Sequence, residues 1–129
     1  MNRIRILLAD DHTVVRQGFR AILGQQPDME IVGEAGNGRD IMRLAQDLTP
    51  DVIIMDVAMP VLDGVAAARL LKASQVTHDI SVIAYTAKMN VDDAPASGVF
   101  AEVLRKPASP EAIVDTVQRF AFPGEPEAA

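Results

Sequence analysis

Five polar residues stand at or just past the ends of short apolar runs. Asp10 and Asp11 follow residues 4–9, Asp56 follows 52–55, Thr86 follows 80–85, and Lys106 comes just beyond 99–104. Brought together, three carboxylates, an alcohol and an amine have a definite use. Like charges 4 Å apart repel by about 4 kcal/mol at an effective dielectric near 20, so clustered aspartates need a cation or protons to persist. The chain has no Cys, His12 is read as turned into a helix start, and His78 lies far along the chain, so nitrogen or sulfur ligation is not expected. All-oxygen ligation points to a hard divalent ion. Mg²⁺ fits, because it is commonly held by one or two carboxylates while keeping waters and accepting phosphate oxygens. Lys106 and Thr86 then offer a point charge and a donor to the other oxygens of a phosphate. Asp56 ends the middle run, and a carboxylate can attack phosphorus to give an aspartyl phosphate. Any one of these residues alone would more often be a turn or cap residue; the weight lies in all of them standing at equivalent places.

Such convergence requires strand ends that share one edge. Runs at 4–9, 29–33, 52–55, 80–85 and 99–104 are near-continuously apolar, as strands covered on both faces must be. Between them, Val15, Phe19, Ile22 and Leu23 form one helical stripe, and Ile41, Leu44, Ala45 and Leu48 another. A third helix is predicted over 63–74 with Ala67, Ala68 and Leu71 inward. A last one is predicted over 109–122 with Ile113, Val117, Phe120 and Ala121 inward, Ser109 capping it and Pro110 at its first position. The alternation gives an α/β domain of (βα)5 type, a parallel sheet with right-handed crossovers and helices on both faces. Ligands then bind beyond the carboxyl ends of the strands. Residues 88–98 carry little apolar stripe and include Pro95, so the fourth helix is expected to be short or distorted. One domain is expected over 1–122, followed by a disordered tail over 123–129.

With 129 residues there is room for one sizeable core, and 49% hydrophobic content supplies it. Absent Cys excludes a disulfide framework and thiol chemistry, and suits a cytoplasmic protein. A formal net charge of −6 opposes direct nucleic-acid binding. No apolar stretch is long enough to cross a membrane or form a signal-peptide core. Arg3 and Arg5 flanking Ile4 read as an outward start to the first strand. The glycines of Gly33-Glu34-Ala35-Gly36-Asn37-Gly38 lack dinucleotide-binding spacing and read as a turn.

The motifs Leu7-Leu8-Ala9-Asp10-Asp11-His12, Ile53-Ile54-Met55-Asp56-Val57-Ala58-Met59-Pro60 with Asp63-Gly64, Ala84-Tyr85-Thr86-Ala87 and Lys106-Pro107 run in order through residues 3–121. In them the chain resembles the receiver domain of bacterial two-component response regulators. Its opening Asp11-His12-Thr13-Val14-Val15-Arg16 is similar to receivers that precede LuxR/FixJ-type DNA-binding domains. The resemblance implies a flavodoxin-like, doubly wound five-stranded sheet of order 2-1-3-4-5. It implies phosphorylation on Asp56, and Mg²⁺ held by Asp11, Asp56 and the backbone carbonyl of Ala58, with Asp10 assisting through water. Thr86, Ala87 and Lys106 would contact the phosphoryl group and switch, and a cis peptide would precede Pro107. The donor would be a histidine kinase or phosphotransfer protein, docked on a first-helix surface that includes His12, Thr13, Arg16 and Gln17. A homodimer through the fourth-to-fifth-helix face is possible in the family.

The chain also departs from that pattern. The family places an aromatic three residues before the strand-five lysine, where Val103 stands here. Phe100 is displaced by an odd number of positions, which in a strand means the opposite face. The expectation is therefore a phosphorylatable signalling module with an altered read-out, read as stand-alone because no DNA-binding domain follows residue 122. Its alternatives are a receiver-like adaptor with phosphate-independent output and the receiver of a DNA-binding regulator without its effector domain. An aspartyl-phosphate phosphohydrolase would want a carboxylate where Ala58 stands. A flavin carrier would want a Ser/Thr-rich loop in place of Asp10 and Asp11.

Overall fold

The structure, a computed structural model, describes residues 3–56, 64–86 and 100–121. Along the chain run β1 (Ile4–Ala9), α1 (Thr13–Leu23), β2 (Met29–Ala35), α2 (Gly38–Leu48), β3 (Val52–Met55), α3 (Gly64–Ala73), β4 (Ser81–Thr86), β5 (Glu102–Arg105) and α4 (Pro110–Phe120). Here α4 is the last helix of the sequence reading. The expected short fourth helix at 88–98 and the tail at 123–129 lie outside the described residues. All strand pairs are parallel, and the sheet order is β2-β1-β3-β4-β5, the doubly wound flavodoxin-like arrangement.

Period-two alternation divides the strands' apolar residues between two cores. Leu7, Ala9, Ile53, Met55, Val82 and Ala84 meet Ile41 and Ala45 of α2 and Ala67, Ala68 and Leu71 of α3. Ile4, Ile6, Leu8, Val52, Ile54 and Ile83 meet Phe19 and Leu23 of α1 and Ile113 and Val117 of α4. Phe120, expected inward, is only half-buried, and buried Thr116 instead completes that face of α4, its hydroxyl donating to the Ala112 carbonyl at 2.8 Å.

α2 and α4 begin at capping side chains. The Asn37 side-chain oxygen accepts from the Asp40 N–H at 2.9 Å, and the Ser109 hydroxyl accepts from the Ala112 N–H at 3.1 Å, each satisfying an otherwise orphaned donor. α2 stops at Thr49, whose φ of 42° is left-handed. Arg5 serves that end. Its guanidinium donates to the Leu48 and Thr49 carbonyls at 2.6 and 3.1 Å, so Arg5 is a clamp between β1 and α2 and not the outward residue expected.

β2 runs two residues further than predicted, through Gly33-Glu34-Ala35, and skips Val32 in its register with β1. A Cβ on Gly33 would lie 3.0 Å from Leu7 and 3.1 Å from Leu48, so a larger residue there would need those two side-chain ends to give by a few tenths of an ångström. β5 starts later than predicted, at Glu102. Phe100 therefore precedes the strand, and the alternation that would set it opposite Val103 does not apply. Both residues pack on the α2/α3 core, and an aromatic ring does sit in the layer that Val103 borders.

Candidate functional site

The site residues hang on extensions of the β-ladder. The Asp10 N–H donates to the Ala35 carbonyl at 3.0 Å, Asp56 N–H to Ala9 at 2.8 Å and Lys106 N–H to Thr86 at 3.1 Å. Each residue thus inherits the position of its strand end, and Asp10, Asp56 and Thr86 are buried there. Asp11 is more open, with its side chain about one-third exposed.

Lys106 lies between the two buried acids, its Nζ 3.5 Å from Asp10 Oδ2 and 3.7 Å from Asp56 Oδ2. Buried carboxylates are costly without such compensation. The same Nζ lies 5.2 Å from the centroid of the Tyr85 ring, and that ring meets Phe19 edge-on at 4.9 Å. Thr86 ends β4, one strand from Asp56 and two from Asp10 and Asp11. The Lys106–Pro107 peptide is cis. Ala58 and Ala87 lie outside the described residues.

His12 corrects the sequence reading. Its ring is not turned away into the helix: Nδ1 lies 3.0 Å from Asp10 Oδ1, 3.0 Å from Asp11 Oδ1 and 4.0 Å from Asp56 Oδ2. One ligand atom from each of Asp10, Asp11, His12 and Asp56 falls within 4.8 Å of all the others. His12 is also the N-cap of α1, and its own N–H donates to Asp10 Oδ1 at 2.8 Å. Its spacing is the available signal, since a residue three positions past the end of β1, and two past Asp10, can share that edge.

Arg16 differs from its reading too. The resemblance places it on a donor-docking surface with His12, Thr13 and Gln17; in the structure its guanidinium is largely covered. It donates to the main-chain carbonyl of Asp10 and, from Nε at 3.0 Å, to Glu34 Oε1. Arg20 takes the other Glu34 oxygen. No residue-type rule marks an arginine of an amphipathic helix as an inward brace.

Carboxylates at the ends of β1 and β3, an amine after β5 and a hydroxyl at the end of β4, on this sheet, define a signalling receiver. A family model, the response regulator receiver domain, matches residues 6–118, and the chain belongs to that family. It is 39% identical over 127 residues to the transcriptional regulatory protein LiaR of Bacillus subtilis, an alignment covering 96% of this chain and 58% of LiaR. Among solved structures, the receiver domain of the putative response regulator NarL from Mycobacterium tuberculosis superposes with a TM-score of 0.87. It shares 26% identity, over 94% of this chain and 98% of that one. The receiver domain of the sensor histidine kinase PA1611 from Pseudomonas aeruginosa, with a magnesium ion coordinated in its active-site cleft, gives 0.82 at 26% identity, over 92% of this chain and 98% of that one. The chain spans just over half the length of the curated relatives it matches first. It is a two-component receiver domain, a class that signals and owes any enzymatic activity to other domains. Among the described residues no helix is long and apolar enough to cross a membrane.

Proposed function

We propose that this receiver accepts a phosphoryl group on Asp56, with Mg²⁺, from a histidine kinase or phosphotransfer protein, and changes conformation when it does. The observation that carries this reading is the Lys106 ammonium between the buried carboxylates of Asp10 and Asp56, beside an exposed third carboxylate, Asp11. Such a donor set fits a hard cation, which Asp10, Asp11 and Asp56 would hold together with the carbonyl of Ala58. Bound there, Mg²⁺ supplies positive charge against the phosphoryl oxygens.

Asp56 attacks phosphorus with one carboxylate oxygen. A phosphorus–oxygen bond forms as the donor's phosphorus–nitrogen bond breaks, and the leaving imidazole keeps the bonding pair and takes up a proton. Lys106 exchanges part of its attraction to the acids for the incoming phosphoryl oxygens, while the Thr86 hydroxyl and the Ala87 backbone offer donors. Water reverses the modification. The added charge of about −1.5 to −2 then biases the segments after β3 and β4. Signalling of this kind belongs in the cytoplasm, with any homodimer formed through the face between the expected fourth helix and α4. This domain makes no direct contact with nucleic acid.

Incubation with acetyl phosphate or beryllofluoride, with and without Mg²⁺, tests the reading in wild type and Asp56→Asn. Modification of the wild type alone, and only with the metal, is expected; equal modification of the variant overturns it. A second reading is favoured by the transcriptional regulators among the relatives, which extend well past the aligned region. In it the domain governs a DNA-binding effector carried on the same polypeptide.

A further inference from the structure

We propose that Arg16 is a positioning residue for the acidic site, acting through the peptide that joins Asp10 to Asp11. The inference rests on reading that site as the Mg²⁺-dependent phosphoacceptor. The Asp10 carbonyl, which takes the Arg16 N–H, belongs to the planar unit linking the two aspartates. Fixing that plane constrains the torsions on either side of it, and so the relative directions of the two carboxylates. The Asp10 N–H is already tied to Ala35 and its carboxylate to the His12 N–H and Lys106. Arg16 closes the one backbone group left to turn.

The brace is itself held. Nε of Arg16 is paired with Glu34 Oε1 at 3.0 Å, and Arg20 grips the other oxygen of Glu34. A planar guanidinium can satisfy a carboxylate and a carbonyl at once, which a lysine ammonium on a flexible stem does poorly.

Position and charge predict opposite signs. Arg16 is a cation close to a cation-binding cluster, so on Coulomb grounds alone its removal would tighten Mg²⁺ binding. If it positions the aspartates, its removal weakens binding. The experiment is an Mg²⁺ titration of the full 129-residue chain, followed by two-dimensional amide NMR at Asp10 and Asp11, for wild type, Arg16→Gln and Arg16→Lys. Thermal unfolding is measured in parallel.

Arg16→Gln is expected to raise the Mg²⁺ midpoint roughly tenfold, equivalent to about 1.4 kcal/mol. Arg16→Lys, which keeps the charge and loses the fork, should raise it by a smaller factor. An unchanged or lowered midpoint in folded Arg16→Gln overturns the proposal, as does a lower unfolding temperature with the midpoint unmoved. Should Arg16→Gln not fold, Arg16→Lys decides, and a wild-type midpoint in it is fatal. A wild-type chain that gives no Mg²⁺ response removes the underlying reading of the site, and this proposal with it.

Discussion

The two faces of the sheet are built differently. Toward α2 and α3 the core is fine-grained, with Ala9, Ala35, Ala45, Ala67, Ala68 and Ala84 interleaved among aliphatics. Toward α1 and α4 it is coarser, filled by Ile6, Leu8, Ile54, Ile83, Phe19 and Ile113, with Tyr85 and Leu104 at its rim. Alternation carried one residue beyond the strands places Asp10 and Asp56 on the coarse side, after Leu8 and Ile54, and Lys106 there after Leu104. Thr86 follows Val82 and Ala84 on the fine side. The charged groups therefore crown one core and the hydroxyl the other. The described contacts couple only the first to its charges by an aromatic path, from Phe19 through Tyr85 to Lys106.

The largest effects should separate those faces. Leu71→Ala and Phe19→Ala are each expected to cost about 3 kcal/mol or more in urea-induced unfolding. Only Phe19→Ala should also shift the Mg²⁺ midpoint of the folded protein, because it removes the ring against which Tyr85 rests. Equal midpoints for the two variants would break the distinction. Next, Lys106→Met removes a partly exposed cation beside two acids. Tighter Mg²⁺ binding, by about 1 kcal/mol after allowing for solvent screening, should accompany slower modification by acetyl phosphate. Weaker metal binding there would show that Lys106 orients the acids more than it competes with the cation.

Of similar size, Asn37→Ala and Ser109→Ala should each lose roughly 1 kcal/mol of stability, one on either face, with Mg²⁺ titrations unaffected. The smallest effect concerns Lys72 at the end of α3, which donates to the His78 and Ile80 carbonyls at 3.2 and 2.5 Å. Burial lowers its pKa below 10.5, and Asp79 opposes that shift. In the window between the folded value and 10.5 the unfolded chain binds more protons, so stability rises with pH there and is lost as pH falls through the folded value. Lys72→Met should abolish that alkaline gain, as read from urea midpoints on either side of the window; a persisting gain would assign it to another group.

Much of this was legible in order along the chain. β1 and β3 have the predicted limits, the stripes of α1 and α2 do face the cores, and the strand-end positions of Asp10, Asp11, Asp56 and Lys106 follow from the βα repeat. Errors arose where a pattern was carried past its domain. Strand alternation does not reach Phe100, which precedes β5, and the glycine-bearing stretch after Val32, which reads as a turn, continues β2 as far as Ala35. The contacts of Arg5, His12 and Arg16 were not legible because they are set by partners and not by periodicity.

The amino-acid order alone determined the strand-helix alternation, and with it the edge on which the polar residues gather, since hydrophobic periodicity acts over neighbouring residues and parallel crossovers leave few topologies. Only the tertiary structure decided that Lys106 meets Asp10 across 96 positions, that Arg16 reaches a backbone carbonyl and that Arg5 closes α2. Long cationic side chains have several partners within reach. Which they take depends on where the fold leaves a carbonyl or carboxylate unsatisfied, and no local pattern records that.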